Sequence, residues 1–176
     1  MSITVHPGES IQAARDAAVA SGDGEVVLAS GSHVFAETIS LRAGVVSFRG
    51  NGIQGPQLRY TGDPTRPAVQ IDAGVWYANI GGFALRGPGR GPNSGIGIRA
   101  CRDEGTASGL GTVCGSNRFE DIIVNGFGTG VQLGEVNHTS TSENRFRRLS
   151  VFDCTAAVVL TDWNTLNNHF QDLNMS

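Results

Sequence analysis

Asn117-Arg-Phe-Glu-Asp-Ile-Ile-Val-Asn-Gly-Phe-Gly-Thr-Gly-Val-Gln-Leu133 returns as Asn144-Arg-Phe-Arg-Arg-Leu-Ser-Val-Phe-Asp-Cys-Thr-Ala-Ala-Val-Val-Leu160, and a third copy starts at Asn168-His-Phe170. Phe119 and Phe146 lie 27 residues apart, and Phe146 and Phe170 lie 24 apart. Repeats of this length are single supersecondary units that bury their apolar face only by stacking on a neighbour. Like residues then fall above one another, one strand spacing apart.

That stacking assigns faces. Phe119, Phe146 and Phe170 form an internal aromatic column, and Phe127 and Cys154 share the next inward position, which makes Cys154 a buried thiol. Gly130 and Ala157 fall at a tight corner. Asn117, Asn144 and Asn168 coincide at a turn, where asparagine tolerates left-handed backbone and its amide can bond to neighbouring repeats. Outward, Glu120 faces Arg147, and Asp121 faces Arg148 and then Asp172. Opposite charges across neighbouring strands stabilise modestly and disfavour register slip.

Working outward, the same alternation continues upstream. Val69-Gln-Ile71, Ile96-Gly-Ile98, Val131-Gln-Leu133 and Val158-Val-Leu160 align as one position, which sets Asp72 against Arg99. Ile80-Gly-Gly-Phe83-Ala-Leu85 aligns with the strands that begin at Phe119 and Phe146. This reading gives two strands per repeat, joined by Gly/Asn turns and a longer loop. Nearer the N-terminus, residues 2–5, 25–28, 31–35, 38–41 and 45–48 read as short strands. Between the first two, Glu9 or Ser10 caps a helix from Ile11 to Ala20 that Gly22-Asp-Gly24 ends. Its narrow apolar face is Ile11, Ala14 and Ala18, with Arg15 and Asp16 outside it. The chain divides into an N-terminal strand and capping helix, 1–24, and stacked repeats, 25–176. The helix covers the open end of the first repeat.

Composition narrows the classes. With 176 residues the chain is one domain. A net charge of −3 and 16% charged residues give no electrostatic case for nucleic acid or an anionic membrane. The 25 glycines lack a collagen period and suit a β fold with many tight turns. No run reaches the roughly 18 apolar residues of a membrane helix, and the N-terminus has no basic-then-apolar secretory pattern. The three cysteines, Cys101, Cys114 and Cys154, match neither a disulfide framework nor a zinc pattern. Cys101 and Cys114 flank one Gly-rich insertion, as a loop-closing disulfide or as two thiols.

Ile11-Gln-Ala-Ala-Arg-Asp-Ala-Ala, Gly24-Glu-Val-Val-Leu28, Gly31-Ser-His-Val-Phe35, Ile39-Ser-Leu41 and Val46-Ser-Phe-Arg-Gly-Asn-Gly52 together resemble the opening of pectate-lyase-like right-handed parallel β-helix proteins. The likeness is greatest to the versions in bacteriophage tail spikes and related virion proteins. The resemblance implies an all-β right-handed parallel β-helix with a short N-terminal capping α-helix. It leaves activity open, since such scaffolds carry polysaccharide lyases, glycoside hydrolases and non-enzymatic virion parts. Repeats ending inside a strand at residues 173–176 leave the expectation of an open edge, covered by another chain or by more of a longer protein.

Chemistry is sparse. Glu135 and Asp162 both follow an aligned leucine by two residues, with His138 close to Glu135, and are the candidate carboxylates for a glycoside hydrolase. Asp103-Glu104 offers too few oxygens for a calcium cage. Trp76, Tyr77 and Trp163 are candidates for a subunit interface or for stacking on a sugar. No metal or cofactor is implied. The leading expectation is a structural component of a phage particle: a tail-spike or fibre segment, or a capsid-surface decoration. It would be made in the host cytoplasm and located in the virion. The resemblance favours a homotrimer, contacting other virion proteins and a surface glycan. The alternative is a polysaccharide depolymerase or an inactive glycan-binding domain derived from one.

Overall fold

The computed structural model describes residues 2–91, 93–102, 113–134, 140–161 and 165–176, with backbone alone at 101, 102, 113 and 140. The chain is all-β, and its described residues form parallel sheets with one short helix. β1 (Ile3–Val5) leads into α1 (Ile11–Ala20). A first circuit follows as β2 (Glu25–Leu28), β3 (Gly31–Phe35) and β4 (Ile39–Leu41), and a second as β5 (Ser47–Arg49), β6 (Pro56–Tyr60) and β7 (Pro67–Asp72). The third is β8 (Asn79–Arg86) and β9 (Ile96–Arg102). The fourth is β10 (Val113–Gly115), β11 (Arg118–Asn125) and β12 (Thr129–Leu133). The fifth is β13 (Ser140–Ser142), β14 (Arg145–Phe152) and β15 (Ala156–Leu160), and then come β16 (His169–Gln171) and β17 (Asn174–Met175).

Each circuit crosses three faces in the same order, not the two that the hydrophobic alternation suggests, and in the fourth and fifth circuits β10 and β13 add a separate two-stranded sheet ahead of the first face. β8 pairs with β5 through Asn79–Gly81 and with β6 through Ala84–Arg86, so one long strand serves two faces. The bend falls at Gly81 and Gly82 in β8, with φ 155° and 70°, and at one left-handed residue afterwards: Asp121 at 55°, Arg148 at 52° and, beyond β16, Asp172 at 55°. A bend this short does not break the run of apolar side chains, so the sequence reads as one strand. On the third face the order is β4-β7-β9-β12-β15.

The core is a set of columns. Val26, Phe48, Ile80, Phe119, Phe146 and Phe170 follow one another in register on the first face. Leu58, Leu85, Val124 and Val151 do so on the second. Ile39, Val69, Ile98, Val131 and Val158 line the third. The third-face register corrects the sequence alignment: Ile98, not Ile96, sits opposite Val69 and Val131. Arg99 therefore faces Gln70, with its Nε donating to Gln70 Oε1 at 2.7 Å, and Asp72 pairs in backbone register with Arg102.

Ser10 is the N-cap of α1, its Oγ accepting the Ala13 N–H at 3.2 Å. The helix buries Ile11 and Ala18, as its pattern requires, but also Arg15. Arg15 lays its aliphatic stem on the core and donates from Nη1 to the Ser40 carbonyl, while Gln12 Nε2 donates to the Thr38 carbonyl at 2.5 Å. β4 is the edge strand of the third face. The helix thus covers that edge with donors for its outward carbonyls, a polar task that an amphipathic pattern does not report. Asp16 completes the contact, accepting from Arg15 and from Arg42.

Two expectations about individual side chains come out differently. Cys154 is half-buried rather than buried, its thiol donating to the Phe152 carbonyl at 3.3 Å. Desolvation pushes that thiol above its ordinary range, which leaves it a weak nucleophile. Glu120 and Arg147 share a register position, yet the ion pair on this surface is the neighbouring one. Arg148 clasps Asp121 with Nε–Oδ1 at 2.5 Å and Nη2–Oδ2 at 2.7 Å. Gly130 and Ala157 lie within β12 and β15 rather than at a corner, and a Cβ on Gly130 would lie 2.3 Å from Val151 Cγ1.

The Asp121 clasp has a defined pH signature. Hydrogen bonds from Arg148 hold the Asp121 carboxyl below the usual carboxylate range, against a smaller opposing effect of burial. The folded value therefore lies below the unfolded one of about 3.9. The clasp stabilises the fold fully above that unfolded value, and the contribution is lost as pH falls through the folded value. Urea midpoints measured from about pH 6 down to about pH 2 are expected to fall less steeply in Arg148→Ala than in the wild type. The difference between the two proteins is expected to shrink in 1 M salt, where the screening length is about 3 Å.

Candidate functional site

Two side-chain columns flank the asparagine ladder at the start of the first face. Asn117 and Asn144 are fully buried and Asn168 half-buried. Asn117 Oδ1 accepts from the Ala78 N–H at 2.9 Å, Asn144 Oδ1 from the Asn117 N–H at 3.1 Å, and Asn168 Oδ1 from the Asn144 N–H at 3.1 Å. Each asparagine thus terminates the backbone of the preceding circuit. The residue before each one takes a left-handed conformation: Ser116 at φ 55°, Glu143 at 60° and Asn167 at 54°, with Tyr77 at 58° one circuit earlier. The residue after each one opens a strand, giving the register Asn79, Arg118, Arg145, His169.

The ladder turns these two columns outward as the walls of an open groove of about 630 Å³. The strand wall is Asn79, Arg118, Arg145 and His169, and the turn wall is Tyr77, Ser116, Glu143 and Asn167. Tyr77 is 75% exposed and sits at one end, its ring centroid 6.3 Å from that of half-exposed Trp76. Glu143 is held by Ser116, whose Oγ donates to Oε2 at 3.0 Å. Arg118 and Arg145 are exposed, stand directly opposite one another in the strand register, and make no ion pair or side-chain hydrogen bond to a described residue. Like charges directly opposite on neighbouring strands destabilise a sheet. A second groove of about 240 Å³, on the second face, has its Arg86 already bonded to Gln57 at 3.3 Å.

The sequence reading singled out Trp76 and Tyr77, and the structure places Tyr77 in the groove wall with Trp76 beside it. Glu135, His138, Asp162 and Trp163 lie outside the described residues, as do Asp103 and Glu104, and the side chain of Cys101. Arg118, Arg145, His169, Ser116 and Glu143 carried no functional reading. Their signal was present, since each flanks a ladder asparagine at a fixed offset, but nothing in the pattern tells a solvated turn from a groove wall. Among the described residues the groove carries one carboxylate, Glu143. No three His, Cys, Asp or Glu side chains of the described residues gather as a metal cage, and no described helix is long and apolar enough to cross a membrane. No family model, curated protein or solved structure matches the chain.

Proposed function

We propose that this chain is a right-handed parallel β-helix of the pectate-lyase-like kind, serving as a structural segment of a bacteriophage particle that holds an acidic surface glycan in its Tyr77–His169 groove. It acts as a homo-oligomer, with a trimer favoured, in a tail spike, a fibre or a capsid-surface decoration. The N-terminal pattern from Ile11 to Gly52 supports the family, and the cyclic passage through three parallel faces is what such a helix requires. Leu160 and Met175, exposed at 56% and 54%, continue columns that are otherwise buried, an apolar edge that another chain or more of a longer protein would cover.

The observation that carries the glycan reading is the Arg118–Arg145 pair. Two exposed arginines paired in strand register, with no ion pair to a described residue, work against the sheet. A ligand carboxylate bridging them reverses that repulsion, and Arg is suited to bidentate recognition of carboxylates. The Tyr77 ring offers an apolar face for a sugar at the end of the same groove.

The test is calorimetric titration with oligogalacturonate and hyaluronan fragments, with neutral dextran as control. Arg118→Gln and Arg145→Gln are each expected to weaken binding of the acidic oligosaccharides roughly 10–100-fold, the size of one charge-assisted hydrogen bond. Thermal stability is expected to hold or rise slightly, because the repulsion is relieved. Unchanged binding in both variants, or equal binding of dextran, counts against the glycan reading. Sedimentation tests the assembly reading separately, and a stable monomer at micromolar concentration removes it.

A further inference from the structure

We infer that the groove distinguishes acidic glycans by which edge of the sugar carries the charge: it accepts a sugar with an anion on one edge only and rejects a sugar with anions on both. The inference rests on the glycan-binding reading above and adds the rule of selection. It follows from the inequality of the two walls. The strand wall presents Arg118 and Arg145 and no carboxylate. The turn wall presents hydrogen-bonding groups and one anion, Glu143, fixed in place by the Ser116 hydroxyl.

A sugar lying between these walls meets donors on one side and an acceptor on the other. A uronic acid has this shape, with a carboxylate on one edge of the ring and hydroxyl groups on the opposite edge. Its carboxylate faces Arg118 and Arg145, and its hydroxyl groups donate to Glu143 Oε1 and Oε2. The circuits repeat at about 4.8 Å, close to the length of one sugar in an extended chain. A chain carrying sulfates on both edges sets one of them against Glu143. Like-charge juxtaposition of this kind is how interfaces exclude wrong partners.

Simple electrostatic attraction predicts the opposite order. A cationic surface without an acidic wall binds the most highly charged polymer best, and binds it in a strongly salt-dependent way. Glu143 is not buried in the core, so its substitution probes selection without threatening the fold.

The experiment compares the full chain and Glu143→Gln in titrations with a hyaluronan octasaccharide, an oligogalacturonate octamer and a heparin octasaccharide at equal ionic strength. The wild type is expected to bind the two carboxylate-only probes at least about tenfold more tightly than heparin, about the effect of one unfavourable charge contact. Glu143→Gln is expected to bind heparin about tenfold more tightly than the wild type does and to bind the uronates no more tightly, which collapses the preference. If the wild type prefers heparin, or if Glu143→Gln leaves the ratio unchanged, the selection rule is overturned while the groove remains a glycan site. If none of the three probes binds, the glycan reading itself falls and the rule falls with it.

Discussion

Replacing Asn144 by alanine is expected to lower the stability of the protein by about 2–4 kcal/mol in urea denaturation followed by circular dichroism. The size follows from what the side chain does. Asn144 is fully buried, its Oδ1 accepts the backbone N–H of Asn117, and its Nδ2 donates to Asn168 Oδ1 at 3.0 Å. Alanine removes both bonds and leaves the Asn117 N–H without an acceptor in a site that water does not reach. An unsatisfied buried donor costs about 1–3 kcal/mol on its own, beyond the bond that is lost. Asn168→Ala is expected to cost less, because Asn168 is half-buried and water can replace part of what it supplies.

A second substitution separates the acceptor from the donor. Asn144→Asp keeps an oxygen for the Asn117 N–H but sets a buried carboxylate against Asn168 Oδ1, which accepts and cannot donate. Burial with a donor for only one of its two oxygens raises the folded-state value of that carboxyl above its unfolded value of about 3.9. The charged form is therefore the destabilised one, and Asn144→Asp is expected to regain stability relative to the wild type as pH falls through the raised value. A loss below about 1 kcal/mol in Asn144→Ala, or no recovery of Asn144→Asp in acid, shows that the ladder bonds are replaced by other partners.

The ladder was readable in the sequence because three asparagines at matching offsets survive every difference between the repeats. The phenylalanine column and the facing of Asp121 on Arg148 were readable for the same reason. The third-face register was not. Ile96-Gly-Ile98 offers two apolar side chains two positions apart, and a shift by two residues keeps every side chain on its own face. Hydrophobic alternation fixes register against a shift by one and is silent about a shift by two. Hydrogen bonding decides it, since Gln70 finds Arg99 only in the observed register.

Arg15 and the groove were hidden for a related reason. Arg15 is polar by type and buried by position, and its partner is a backbone carbonyl 25 residues away that carries no sequence signal. The groove walls are defined by left-handed residues at Tyr77, Ser116, Glu143 and Asn167. Glutamate and tyrosine are not types that announce that conformation. The circuits impose it, because each must turn at the same point to lay its asparagine over the one below.

The same geometry sets the largest expected effect in the molecule, at the centre of the aromatic column. Phe146→Ala is expected to cost about 3–5 kcal/mol, at the upper end for loss of a buried aromatic. Phe146 stacks on Phe119 with centroids 4.5 Å apart and on Phe170 at 4.7 Å, each pair within 9° of parallel. Those separations match the strand spacing of about 4.8 Å, so the backbone ladder sets the stack. Where the register instead puts Phe48 opposite Ile80, the Phe48 ring meets Phe83 edge-on at 72°. Removing the middle ring opens a void that Phe119 and Phe170 cannot close, because paired strands hold them about two spacings apart. Cores that cannot collapse into a cavity carry its full penalty. Phe146→Leu refills much of the volume and is expected to cost about 1–2 kcal/mol. Phe170→Ala, at a half-buried position, is expected to fall near the same value. Equal losses at Phe146 and Phe170 in urea titrations contradict the rigid column and point to strands that shift to fill the gap.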